Sequence, residues 1–195
     1  MAGIDREAAD RLLSALADRL SLTGERFELV VIGGTALIAL GLVERATRDI
    51  DVVALLADGM LVSATPLPRL LVEARDRVAA DFRLDGQWLN SGPAGLLQWG
   101  LPEGFLDRLT AREYGEWLTV YFASRFDQIH FKLYALVDQG AGRHEADLLA
   151  LSPRPDELHT AARWSRTHDP SDRFARELTA VLRHLGVKDA DPGAP

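Results

Sequence analysis

The stretch VVIGGTALIALGLVERATRDIDVV, from Val30 to Val53, constrains this chain more than any other. An apolar run ends in a glycine pair, a short helical pattern follows, and a second apolar run opens on Asp-Ile-Asp. A strand that otherwise reads as buried core gains nothing from two carboxylates, so something must balance their charge. FELVVIGG (27–34) predicts a buried strand, TALIALGLVER (35–45) a helix of about three turns, and DIDVVALL (49–56) a second strand. Strand, helix and strand in quick succession predict an α/β unit.

The carboxylates carry the chemistry. Side chains two apart on a strand share a face, so Asp49 and Asp51 are expected side by side while Ile50 points into the opposite layer. Two such charges cannot both stay ionised in a dry site. A hard divalent cation, Mg²⁺ or Mn²⁺, resolves the conflict, because it accepts one or two carboxylates together with water and phosphate oxygens. Two ions roughly 3.5–4 Å apart would clamp the attacking and leaving oxygens of a phosphoryl displacement. Gly33-Gly34-Thr35 supplies the other half. Glycines at a strand-to-helix turn let the backbone approach a ligand, and Thr35 can cap the helix or bond a phosphate oxygen. The competing reading is a plain glycine turn and a solvated or capping Asp pair.

Elsewhere, residues 4–22 and 66–82 predict helices, 83–104 an irregular segment around a short helix, and 116–124 a strand. Residues 125–140 predict a helix ended by Gly140, and 143–151 another. Composition shifts after Pro153 and Pro155, and 155–186 reads as two polar amphipathic helices broken at HDPSD. The expected organisation is an α/β core domain over 1–152, a helical lobe over 153–188 and a frayed tail over 189–195.

The 195 residues include no cysteine, which removes disulfides, zinc–thiolate sites and thiol nucleophiles and fits a reducing cytoplasm. The charged N-terminus has no signal-peptide pattern, and no apolar run approaches a membrane span, so no membrane partner is expected. The net charge of −7 argues against wholesale coating of nucleic acid while leaving room for a local basic groove. There are 20 Arg and only 2 Lys, which draws notice to Lys132 between Phe131 and Leu133.

GGTAL…RATRDIDVV resembles the first motif of the DNA polymerase β-like nucleotidyltransferase superfamily. The Arg45-x-Thr47-x-Asp49-Ile50-Asp51 form looks most like the branch of AbiEii and Men-type toxins of bacterial toxin–antitoxin systems. The resemblance implies an α/β (α+β) fold, a small mixed sheet with flanking helices. It implies attack by a hydroxyl on the α-phosphorus of an NTP, with Asp49 and Asp51 on the metal and Gly33, Gly34, Thr35 and Arg48 on the nucleotide. DQIHFKLYALVDQGAGRHEADLLAL (127–151) resembles a later segment of these toxins. It implies that Lys132 holds the nucleotide phosphates, that Asp147 supports it, and that Arg143 sits in a basic turn. The third carboxylate common in the superfamily is not placed by a motif; Asp85, Glu116 and Asp127 are candidates. The toxin branch further implies an RNA acceptor, the 3′ end of tRNA, and a cognate antitoxin protein.

Trp88-Leu89-Asn90 matches W-L-N segments of this branch without a role attached. Trp88 reads as core, and the five histidines show no metal-ligand spacing, although His130 and His144 flank the later motif. Arg163, Arg166, Arg173 and Arg176 would track an RNA backbone if they shared a face; the alternative is a solvated helical surface. No G-x-S-x-G and no P-loop is present. Two further functions stay open: a transferase of this fold acting on a protein or small-molecule hydroxyl, and a non-catalytic nucleotide-binding module.

Overall fold

The structure, a computed structural model, describes residues 3–187. The tail expected over 189–195, and Lys188 at the end of the expected lobe, lie outside the described residues. The chain forms two compact units, Met1–Ser124 and Arg125–Pro195. The division falls at the end of the last strand, whereas the composition shift lies near 152.

The first unit is built on a mixed six-stranded sheet: β1 (Phe27–Ile32), β2 (Ile50–Ala57), β3 (Met60–Ser63), β4 (Leu89–Asn90), β5 (Thr110–Glu113) and β6 (Leu118–Phe122). The order is β3-β2-β1-β6-β5, with β4 also on β2. β1 runs antiparallel to β2 and parallel to β6. Helices α1 (Arg6–Ser21) and α3 (Arg69–Phe82) supply its core partners. Leu13, Leu16 and Leu20 of α1 and Leu71 and Val78 of α3 join Leu29, Val31, Val52, Val120 and Phe122 in one cluster of buried side chains. Each buried leucine contributes about 1.5–3 kcal/mol. Asp5 caps α1 by accepting from the Ala8 amide.

Between β1 and β2 lies α2, Gly33–Ala39, which is shorter than the three turns expected over 35–45. Gly41 stops it. With φ at +69° it adopts the left-handed conformation; its amide donates to the Ile38 carbonyl and the Leu42 amide donates to that of Leu37. That pair of bonds is a Schellman ending. Arg112 on β5 donates to the Ala39 carbonyl at the same end and to Asp10 on α1, which also accepts from the Tyr114 hydroxyl. The site-bearing helix is thus fixed to two neighbours.

Two hairpin strands were absent from the sequence reading. β3 follows β2 through Asp58-Gly59, both at positive φ, which is the two-residue turn that Asp-Gly favours. β5 pairs with β6 across the turn at Gly115.

The second unit contains α5 (Arg125–Gln139), α6 (Arg143–Ala150), α7 (Pro155–His168) and α8 (Asp172–His184). Its aromatic core centres on Trp164, whose ring lies 5.6 Å from Phe131 and 4.0 Å from His168 between centroids. The HDPSD break is held by Arg166, which donates to the Asp169, Pro170 and Ser171 carbonyls. Buried in that role, Arg166 does not join a basic surface stripe; Arg163, Arg173 and Arg176 are exposed. Arg125 forks onto the buried Glu157 carboxylate at 2.7 and 3.1 Å and donates to the Leu151 and Ser152 carbonyls, so one guanidinium joins three segments.

Chiefly through the Arg125 hydrogen bonds, and against the opposing effect of burial, the Glu157 carboxyl is held below the usual glutamate range. A depressed folded value stabilises the fold above the ordinary glutamate pKa of about 4.3, and that contribution is lost as pH falls through the folded value. Thermal melts from about pH 5 to about pH 3 are expected to show a shallower acid limb in Glu157→Gln than in the parent. Parallel limbs would remove Glu157 as the source.

Candidate active site

The site forms where β1 turns into α2. Ile32 pairs with Asp51 across the sheet, and Gly33 follows immediately. Gly33 has φ at +73°, and a Cβ placed on it would lie 2.8 Å from Asp51 Oδ2. Its backbone therefore lies close to the carboxylate, which an added side chain would have to push aside. Gly34 is packed as closely: a Cβ there would meet Thr47 Oγ1 at 2.6 Å and Arg45 Nη2 at 3.1 Å. The glycine pair is a close approach to a carboxylate and to a guanidinium, beyond a simple turn.

Asp51 stands on the sheet face opposite the α1–α3 core, because its neighbours Ile50 and Val52 enter that core. An irregularity follows at once. Val30 pairs with Ala54 and Val31 with Val52, so Val53 is the extra residue of a bulge. Bulges of this kind re-aim side chains next to functional sites. Asp49 lies one residue before β2, outside the strand in which it was expected. Strict strand alternation therefore does not set its direction. The Thr35 hydroxyl holds the backbone at this point, donating to the Asp49 carbonyl at 2.8 Å. Thr35 is 1% exposed and the N-cap of α2 is Ile32, so Thr35 positions the backbone of Asp49 and does not cap the helix. Arg48 is exposed on the connecting loop.

Two residues gain roles that the sequence did not reveal. Asn90 pairs with Asp51 through the parallel β4–β2 ladder, and its Nδ2 donates to Asp51 Oδ1 at 3.2 Å. The Gly92 amide donates to Asn90 Oδ1 at 2.8 Å, which fixes the amide's orientation. Trp88, 1% exposed and donating to the Arg75 carbonyl, anchors the strand as a core residue. The W-L-N segment was the available signal; its partner strand was not legible. Arg45, part of the R-x-T-x-D-x-D pattern, packs against Gly34 and places a cation at the glycine turn.

In the second unit Lys132 is 5% exposed and its ammonium lies 2.7 Å from Asp147 Oδ2, also buried. A surface lysine is excluded, and the expected pairing of these two residues is present. Asp127 is fully buried at the start of α5. His130 is buried with Nδ1 2.8 Å from the Phe126 carbonyl, as a core histidine, and Arg143 is exposed at the start of α6.

Among the described residues no group of three or more His, Cys, Asp or Glu side chains is arranged to hold a metal ion. Asp49 and Asp51 are hard oxygen donors, and the bare Cα of Gly33 keeps the space beside Asp51 Oδ2 clear of a side chain. That set fits a cation taking its other oxygens from water and phosphate.

Gly33→Ala tests the close approach. The left-handed φ costs a residue with a Cβ about 1–2 kcal/mol, and the added carbon displaces the Asp51 carboxylate. Urea unfolding is expected to show a loss of that order.

A mixed α/β fold, a glycine turn laid against the Asp51 carboxylate, and a neighbouring guanidinium suit a phosphate-handling class of protein. The family model described as "Nucleotidyltransferase of unknown function (DUF6036)" matches residues 11–149, and the chain belongs to that family. No curated protein and no solved structure matches it. Among the described residues no helix is long and apolar enough to cross a membrane.

Proposed function

We propose that the protein transfers a nucleoside monophosphate from an NTP to an acceptor hydroxyl, with Mg²⁺ or Mn²⁺ held by Asp49 and Asp51. The observation that carries this reading is the contact of the Gly33 backbone with the Asp51 carboxylate. A Cβ there would press on the carboxylate oxygen, so glycine at 33 leaves Asp51 in place for a cation shared with a phosphate. A bound divalent ion would supply Lewis-acid stabilisation of charge on the phosphate oxygens. The Asn90 amide orients the Asp51 carboxylate, and the Thr35 hydroxyl holds the Asp49 backbone, before substrate arrives. Arg45 supplies a fixed positive charge at the glycine turn. The acceptor oxygen forms a bond to the α-phosphorus, the bond to pyrophosphate breaks, and Asp49 takes the acceptor's proton.

Lys132 as a ligand of the nucleotide phosphates, with Asp147 holding it, is supported by the likeness of 127–151 to the toxin segment. The same resemblance supports RNA, at the tRNA 3′ end, as acceptor, and a cognate antitoxin as partner. The absence of cysteine suits work in the cytoplasm. Purified protein incubated with Mg²⁺, each α-³²P-labelled NTP and total tRNA, beside Asp49→Ala, tests the reading. Label on tRNA with the parent alone is expected. Label on protein or on a small molecule would replace the acceptor, and no transfer to any acceptor would leave a nucleotide-binding module.

A further inference from the structure

We infer that the cleft on the β4 side of Asp49 seats the terminal nucleoside of the acceptor, its base and sugar without phosphate. The inference rests on the transferase reading above and adds to it the chemistry that the acceptor presents. The cleft encloses about 650 Å³, lies within the first unit and is lined by Asp49 itself. Asn90, the residue that orients Asp51, lines it as well. It therefore reaches Asp49 and the amide that holds Asp51. Its volume lies inside the range of roughly 300–1,000 Å³ that holds small-molecule-sized groups.

The lining identifies the occupant. Ser63, Thr65 and Ser91 contribute hydroxyls, and Gln87, Asn90 and Gln98 contribute amides. Among the described residues no Lys or Arg lines the cleft, and Asp49 is its one charged side chain. A triphosphate entering such a space would meet a carboxylate and no cation, whereas the guanidinium of Arg45 stands at the glycine turn. The phosphates of the NTP therefore belong at the turn and an uncharged group belongs in the cleft. A polycationic sugar would want several carboxylates, and one is present. Carboxamides present a donor and an acceptor side by side, the pattern that matches the edge of a nucleobase, and hydroxyls suit a ribose. The walls are tied in place: the Thr65 hydroxyl donates to Ser91 Oγ, and Thr65 and Ser63 are joined by two further bonds.

Gly95 gives a clean probe. It lines the cleft, its φ of −59° and ψ of −27° are helical, and a Cβ there meets no atom within 4 Å. Gly95→Leu fills space without a backbone clash. In amide spectra of the ¹⁵N-labelled full chain, adenosine and cytidine are expected to shift Ser91, Gly92 and Gly95. A non-hydrolysable ATP analogue with Mg²⁺ is expected to shift Gly33 and Gly34, and the two sets are expected to be additive. Gly95→Leu is expected to melt no lower than the parent, to lose the nucleoside shifts, to keep the nucleotide shifts, and to raise KM for tRNA at least tenfold with KM for NTP unchanged. The proposal is overturned if the ATP analogue displaces the nucleosides, if kanamycin shifts the cleft amides and nucleosides do not, or if Gly95→Leu leaves KM for tRNA unaltered. Nucleoside binding without transfer by the parent would remove the transferase reading and keep the subsite. Transfer without nucleoside binding would do the reverse.

Discussion

Asp51→Asn is expected to reduce nucleotidyl transfer by about 10³-fold while leaving the fold intact, the scale seen when a fixed electrostatic contact at a reacting phosphate or carbonyl is removed. The substitution keeps the shape of the side chain and keeps an oxygen for the Asn90 amide, which donates to Asp51 Oδ1 at 3.2 Å. It takes away the charge that the proposed cation would need. The exchange is nearly isosteric, so thermal melting is expected to stay close to that of the parent. Transfer and stability should thus move independently, which a merely structural aspartate would not show. Mn²⁺ binding followed by electron paramagnetic resonance gives a second readout, expected to weaken in Asp51→Asn whatever the acceptor is. Transfer within tenfold of the parent, with Mn²⁺ binding unchanged, would remove Asp51 from the site.

Lys132→Met and Asp147→Leu are each expected to cost about 3–5 kcal/mol, because each removes one partner of a buried ion pair. The pair stands 2.7 Å apart with both side chains almost fully enclosed. For a chain of this size the loss corresponds to a fall in melting temperature on the order of 10 °C. The double variant is expected to recover most of it, since replacing a buried ion pair by apolar side chains is often near neutral. Lys132 then separates into two roles. A folded double variant without transfer activity places the ammonium on the nucleotide, while a folded and active one makes the pair structural. Failure of the double variant to recover stability would show that the pair is tied to further neighbours.

The glycine turn was legible from neighbouring residues, and the Lys132–Asp147 pair from the resemblance of 127–151 to a toxin segment. Local geometry was legible less often. Asp58-Gly59 carried the hairpin signal and Gly41 the stop for α2, and both follow from backbone preferences at positive φ. Asp49 fell outside the strand that it was expected to open, since a strand ends where its partners end and not where apolar character does.

What the sequence by itself determined is an order of parts: a short apolar strand, two glycines, a helix and two carboxylates, which suits a phosphate-handling turn better than a plain turn beside a solvated Asp pair. Family membership over residues 11–149 agrees with that. The tertiary structure alone decided what holds the carboxylates. Asn90 reaches Asp51 from 39 positions away through a parallel pairing that its own neighbourhood does not encode. Arg166 leaves the surface because three carbonyls at a helix break need a donor. The physical reason is common to both. A side chain's partners are fixed by which strands and helices become neighbours, and that choice is made by burial of the whole apolar core and not by any one segment.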